Sequence, residues 1–119
     1  EVEYGVDLYD YIDDKYYNSA NYYSSKDIAE NNARADKLMR QLRRFAVEHN
    51  ECGVNFNDTN AKKYYICYDY ENNELNVSFV FRSRKFGVIY FDLGETANAA
   101  IDEFRDELIW YFTEYKDSL

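Results

Sequence analysis

Residues 62–81 set the fold class: Lys62-Lys63-Tyr64-Tyr65-Ile66-Cys67-Tyr68-Asp69-Tyr70, then Glu71-Asn72-Asn73-Glu74, then Leu75-Asn76-Val77-Ser78-Phe79-Val80-Phe81. Tyr64, Ile66, Tyr68 and Tyr70 alternate with Lys63, Tyr65, Cys67 and Asp69, the period of two of a half-buried strand. Leu75, Val77, Phe79 and Phe81 alternate again. Asn72-Asn73 between the two runs supplies residues that tolerate hairpin turns. Arg82 to Lys85 read as a second turn. Beyond it Phe86, Val88 and Tyr90 face one way, and Ile89 and Phe91 the other. Residues 62–91 therefore predict a three-stranded antiparallel meander.

Helical periodicity flanks this sheet. In residues 26–49, Ile28, Ala35, Leu38, Met39, Leu42, Phe45 and Ala46 recur at three- and four-residue steps. Ser24 or Ser25 can cap this helix, Asp27 lies in its first turn, and Asn50 to Gly53 should end it. Asn55 to Ala61 reads as a loop. Residues 95–116 carry a second stripe: Ala97, Ile101, Phe104, Leu108, Phe112 and Tyr115. Asp92-x-x-Glu95 resembles a capping box at its start. In the Tyr-rich, acidic segment 1–24, Val2, Tyr4, Val6 and Leu8 alternate like a strand, Asp13-Asp14-Lys15 resembles a turn, and Tyr16 and Tyr17 could begin a partner strand. The expectation is one α+β domain over 1–119, a small antiparallel β-sheet (the three-stranded meander plus an N-terminal strand or hairpin) packed against two α-helices.

Composition directs the functional reading. The chain holds 14 Tyr in 119 residues and a net charge of −9. Tyr joins apolar area to a hydroxyl handle and suits protein contact faces. A negative field repels nucleic acid and attracts basic proteins. The charge is uneven: −5 over residues 1–25, +2 over 26–49 and −6 over 50–119. No run of about 18 apolar residues is present to span a membrane. The chain opens on Glu1 rather than Met, with no signal-peptide pattern, so a processed or shortened chain with upstream residues is expected. Cys52 and Cys67 lack metal spacing; they read as free core thiols of a cytosolic protein, with a disulfide left open. His49 stands alone and reads as an exposed helix-end residue. The sequence offers no nucleophile motif, glycine-rich phosphate loop or zinc pattern. No catalytic residue, cofactor or metal is expected.

Three constellations remain. Arg34, Lys37, Arg40, Arg43 and Arg44 lie mostly away from the Leu38/Leu42 stripe, as a phosphate-binding row or a solvated face; the net field favours the second. On the last helix, Glu95, Asp102, Asp106 and Asp117 project opposite the Ala97/Tyr115 side, flanked by Glu103, Glu107 and Glu114. Asp102–Asp106 and Glu103–Glu107 are like-charge i,i+4 pairs, which each cost a few tenths of a kcal/mol. A solvated face or a mimic of phosphates for a basic partner would both look like this. On the same wheel Trp110 points outward among Glu103, Asp106, Glu114 and Asp117, and Ile109 also lies off the buried stripe. Trp110 is then either an exposed binding anchor or a residue covered by the N-terminal Tyr segment.

Two resemblances add to these readings. Arg84-Lys85-Phe86-Gly87-Val88-Ile89-Tyr90-Phe91 resembles the central-strand signature of the RNA-recognition motif family, and Glu95, Ala97, Ala100 and Ile101 continue the likeness. Lys85 stands where that family has Gly, Val88 stands where it places a stacking aromatic, and its final strand has no counterpart. That resemblance implies a nucleic-acid-binding module. Ala33-Arg34-Ala35-Asp36-Lys37-Leu38-Met39-Arg40-Gln41-Leu42-Arg43-Arg44-Phe45-Ala46, Lys62-Lys63-Tyr64-Tyr65-Ile66, Ile89-Tyr90-Phe91-Asp92 and Glu107-Leu108-Ile109-Trp110-Tyr111-Phe112-Thr113-Glu114-Tyr115 look like small accessory proteins encoded by phages and prophages of Gram-positive bacteria. This second resemblance implies the cytoplasm of an infected or lysogenic bacterium, where small acidic phage proteins often inhibit host defence, anti-CRISPR proteins among them. The expectation is a non-enzymatic inhibitor that binds a basic, nucleic-acid-binding surface of a CRISPR nuclease, of type II as the most specific form. Glu95, Asp102, Glu103, Asp106, Trp110 and Glu114 would bind the partner. Direct nucleic-acid binding is not expected and a homodimer is possible. The alternatives are a nucleic-acid-binding module of RRM-like topology and a structural or self-assembling phage accessory protein.

Overall fold

The computed structural model describes residues 25–116. The N-terminal strand or hairpin expected in residues 1–24, and Asp117, lie outside them. Four elements follow in order: α1 (Ser25–His49), β1 (Lys63–Asp69), β2 (Glu74–Val80) and α2 (Gly94–Thr113). Two helices and a two-stranded antiparallel sheet make an α+β fold.

The hairpin forms where alternation and turn chemistry predict it. β1 and β2 pair from Lys63↔Val80 through Ile66↔Val77 to Asp69↔Glu74 without a bulge. At the turn Asp69 Oδ1 accepts the amides of Glu71 and Asn72, and Asp69 Oδ2 accepts the Asn72 side-chain amide at 2.8 Å. These bonds, the Asn72 side chain foremost, hold the Asp69 carboxyl below its ordinary range. Asn73 takes the left-handed conformation, φ 56°, which Asn tolerates better than most residues.

The third strand of the expected meander does not form. Only Phe91 comes alongside β1, exchanging two backbone bonds with Tyr64 (2.9 and 2.7 Å). Before it the chain curls. Gly87 has φ 76°, the Val88 amide turns back to the Lys85 carbonyl, and the Tyr90 hydroxyl accepts the Lys85 amide at 2.9 Å. Phe86 and Tyr90, expected on one face, are 105% and 6% exposed.

Tyr64, Ile66, Leu75 and Val77 pack onto a core of Leu38, Leu42, Ala46, Phe91, Ala97, Ala100, Ile101 and Leu108. The α1 stripe is thus buried as its periodicity predicts. α2 lies against both strands. Tyr68 stacks on Phe112, and the Tyr70 hydroxyl donates to the Phe112 carbonyl at 2.6 Å. The start of α2 is close: a Cβ on Gly94 would lie 3.4 Å from the Tyr64 ring. The helices run antiparallel, since Phe45 meets Phe104 edge-on while Asn32 reaches the Tyr115 hydroxyl. Lys63 is buried, its ammonium donating to the carbonyls of Asp58 and Phe81. No helix among the described residues is long and apolar enough to cross a membrane.

The capping box at α2 is not realised. Leu93 is the N-cap and makes no side-chain cap bond. Asp92 turns to the end of α1 instead. Its Oδ2 accepts the amides of Glu51, Cys52 and Gly53 at 2.8, 2.7 and 3.1 Å, while its own amide donates to Asn50 Oδ1. Three successive N–H groups past a helix end, with Gly53 at φ 82°, form a concave anion nest. A carboxylate in this nest meets three donors where an N-cap offers one or two.

Candidate functional site

The outer face of α2 is the strongest candidate surface. Glu95, Asp102 and Glu103 precede Phe104 on α2, with Glu95 and Asp102 on one arc by helical repeat, and Asp106 and Glu114 follow it. All five are exposed. Among the described residues only Asp102 has an ion-pair partner on this face, Arg105 one turn on at 3.0 Å. Like charges on neighbouring turns repel, and exposed repulsion of this kind is relieved by a cationic partner or by salt.

Trp110 does not belong to that face. It is 7% exposed. The Arg34 guanidinium of α1 lies 4.0 Å from its ring centroid, and the Tyr115 ring is tilted against it at 5.4 Å. Arg34 also forks onto Glu107, Nε to Oε1 at 2.9 Å and Nη2 to Oε2 at 2.8 Å. Each partner shifts the other: the hydrogen bond from Arg34 holds the Glu107 carboxyl below its usual range, and Glu107 raises Arg34. A straight wheel missed this because α1 closes over the Glu107/Trp110 flank, and α2 departs from helical dihedrals at Phe104 (φ −116°, ψ 26°). The apolar residue left on the acidic face is Ile109, 39% exposed.

A contrasting surface lies around the segment that failed to become a strand. Arg43 on α1 and Arg84, Lys85 and Phe86 line one concave region of about 420 Å³. Arg84 lies over Phe56 and Lys85 over Tyr65, so these cations are held by aromatic faces. Of the basic row on α1, Arg34 is committed to Glu107, and Lys37, Arg40, Arg43 and Arg44 are exposed. Phe79 and Phe81 are exposed, as is Phe86 of the RNA-recognition-motif resemblance. Alternation put Phe79 and Phe81 on the face of Leu75 and Val77, which pack on the core.

The cysteines are not core thiols. Cys52 is exposed and Cys67 partly exposed, and both are free. Burial pushes the Cys67 thiol up, away from reactive thiolate. His49 is exposed at the helix end as expected, stacked on Phe45 with ring centroids 3.9 Å apart. No cluster of His, Cys, Asp or Glu among the described residues could hold a metal ion. Comparison with known protein families, curated proteins and solved structures returned no match.

Proposed function

We propose that this protein is a non-enzymatic, phage-derived inhibitor of host defence, which lays the acidic outer face of α2 on a basic surface of a nuclease. The supporting observation is the run of exposed carboxylates Glu95, Asp102, Glu103, Asp106 and Glu114, almost none of them neutralised by a cation among the described residues. Such a face presents negative charge at intervals along a helix, as a phosphate backbone does. A groove built for DNA is basic, so the two surfaces attract over a Debye length and beyond at low salt. Ile109 gives the face an apolar point that water leaves on contact. The most specific form of the reading is a type II CRISPR nuclease in the bacterial cytoplasm, and its setting rests on the resemblance to phage accessory proteins. The test is DNA cleavage by a guide-loaded type II nuclease, with the parent and with Asp102→Lys/Asp106→Lys. Inhibition by the parent, lost in the variant, supports the proposal. A parent inactive against a panel of such nucleases overturns its specific form.

A second reading is favoured by Phe86, fully exposed between Lys85 and Gly87 and beside Arg43 and Arg84. Cations around an uncovered ring suit stacked bases and phosphates. In this reading the chain is a nucleic-acid-binding module. Fluorescence anisotropy with mixed-sequence single strands separates the two: salt-sensitive binding that Phe86→Ala abolishes supports the second reading, and no binding removes it.

A further inference from the structure

Among the described residues β2 is an open sheet edge. Both Tyr64 backbone groups point away from β2, toward Phe91. The pairing has no bulge, so residues of β1 and β2 alternate in direction along the whole hairpin. Tyr64 opposes Phe79, so the N–H and C=O of Leu75, Val77 and Phe79 point outward, away from β1. Among the described residues nothing pairs with them. The β1 edge differs: Phe91 occupies its start, and the cavity beside Ile66 is lined by α1 and by residues 86–89.

Exposed edges in native proteins are normally blunted by charge, proline or a bulge. Leu75 to Phe81 has none of these. Phe79 and Phe81, on the helix-facing side of this strand, are exposed. The hairpin is also polar along its length. Its turn end carries Glu71 and Glu74, and Arg82 follows its open end; Arg84 and Lys85 turn away over Phe56 and Tyr65.

We propose that the β2 edge is a self-association surface, on which β2 of a second copy adds antiparallel about Val77 to give a continuous four-stranded sheet. In that register Val77 faces its own counterpart, an outward residue meeting an outward residue, as backbone exchange requires. Leu75 of each copy lies opposite Phe79 of the other, and the two Phe79 rings become covered. Glu74 falls opposite Val80 of the second copy. The acidic turn of each copy therefore comes near Arg82 of the other, twice per dimer. Charge complementarity selects a second copy of this chain as occupant and selects the antiparallel direction; parallel addition would bring acid to acid and base to base. The surface shares no residue with the acidic face of α2, so either proposal can fail alone.

Sedimentation velocity on the full chain tests it. The parent should sediment as a concentration-dependent dimer. Glu71→Lys/Glu74→Lys makes the turn end basic like the open end, and Arg82→Glu makes the open end acidic like the turn. Each variant alone should associate more weakly by about tenfold or more, and an equimolar mixture should recover a heterodimer. Val77→Pro removes an outward N–H and no β1–β2 bond, so it should yield a folded monomer by circular dichroism. If proline disrupts folding, the charge-swap mixture still decides. A parent that stays monomeric at high concentration, or two charge variants that each dimerise as tightly as the parent, overturns the proposal.

Discussion

The Arg34 guanidinium bridges two residues one turn apart on α2, covering the Trp110 ring at 4.0 Å while forking onto the Glu107 carboxylate. This contact pins the two helices together at one end, as Phe45 and Phe104 do nearer the other. It makes Trp110 a packing residue. Trp110→Ala should cost about 3–5 kcal/mol, the usual range for emptying a buried aromatic site. Thermal unfolding reads it as a large drop in Tm. A midpoint that hardly moves would mean the indole is not packed as described.

The ion pair itself is worth less. Its side chains are 45% and 40% exposed, so solvent screens it, and a double-mutant cycle on Arg34 and Glu107 should give about 1 kcal/mol or less. Its pH dependence has a defined sign. Glu107 has a folded-state pKa lowered below 4.5. Its contribution is complete above that ordinary value and is lost as pH falls through the lower folded value. Urea unfolding of the parent and of Glu107→Gln should differ at neutral pH and converge in acid. A difference that grows on acidification would reverse the assignment.

Asp92 closes the loop after α1 onto the start of α2. Asp92→Ala removes the acceptor of three amides, each bond contributing about 0.5–1.5 kcal/mol. Hydrogen exchange at Glu51, Cys52 and Gly53 should accelerate together, more than at the core amides of α2. Glu95→Gln, the other half of the capping box suggested by sequence, should leave these amides unchanged.

Local pattern was enough for the helices and the hairpin, because stripes and alternation there agree with what is buried. Leu38, Leu42, Ala97, Ile101 and Leu108 are core residues by both criteria. The failures share one physical cause, a side-chain partner that outcompeted the pattern read along the chain. Alternation over Phe86, Val88 and Tyr90 suggested a strand, but the Tyr90 hydroxyl captured the Lys85 amide and Gly87 allowed the curl. Asp92 suited a helix cap, but the Glu51–Gly53 nest offered more donors. Trp110 lay off the stripe of its own helix, but α1 brought Arg34 over it. For the acidic face no such competitor intervened: Glu95, Asp102, Glu103, Asp106 and Glu114 are exposed where the wheel put them, apart from the buried tryptophan expected among them.

That face and the core beneath it should respond oppositely to neighbouring substitutions. Leu108 is 2% exposed and Ile109 is 39% exposed. Leu108→Ala should cost about 2–5 kcal/mol, a large share of the roughly 5–15 kcal/mol that holds a domain together. Ile109→Ala should change the midpoint by about 0.5 kcal/mol or less, as for most surface positions. In binding the order reverses. Once a nuclease partner is in hand, Ile109→Ala should speed dissociation, because the lost contact is one that water leaves on docking. Asp102→Lys with Asp106→Lys should instead slow association and flatten its salt dependence, because exposed charges act mainly on diffusional encounter. Surface plasmon resonance at two ionic strengths separates the rates. If the lysine pair leaves the association rate and its salt dependence untouched, the acidic helix is only a solvated surface, and the partner must bind elsewhere.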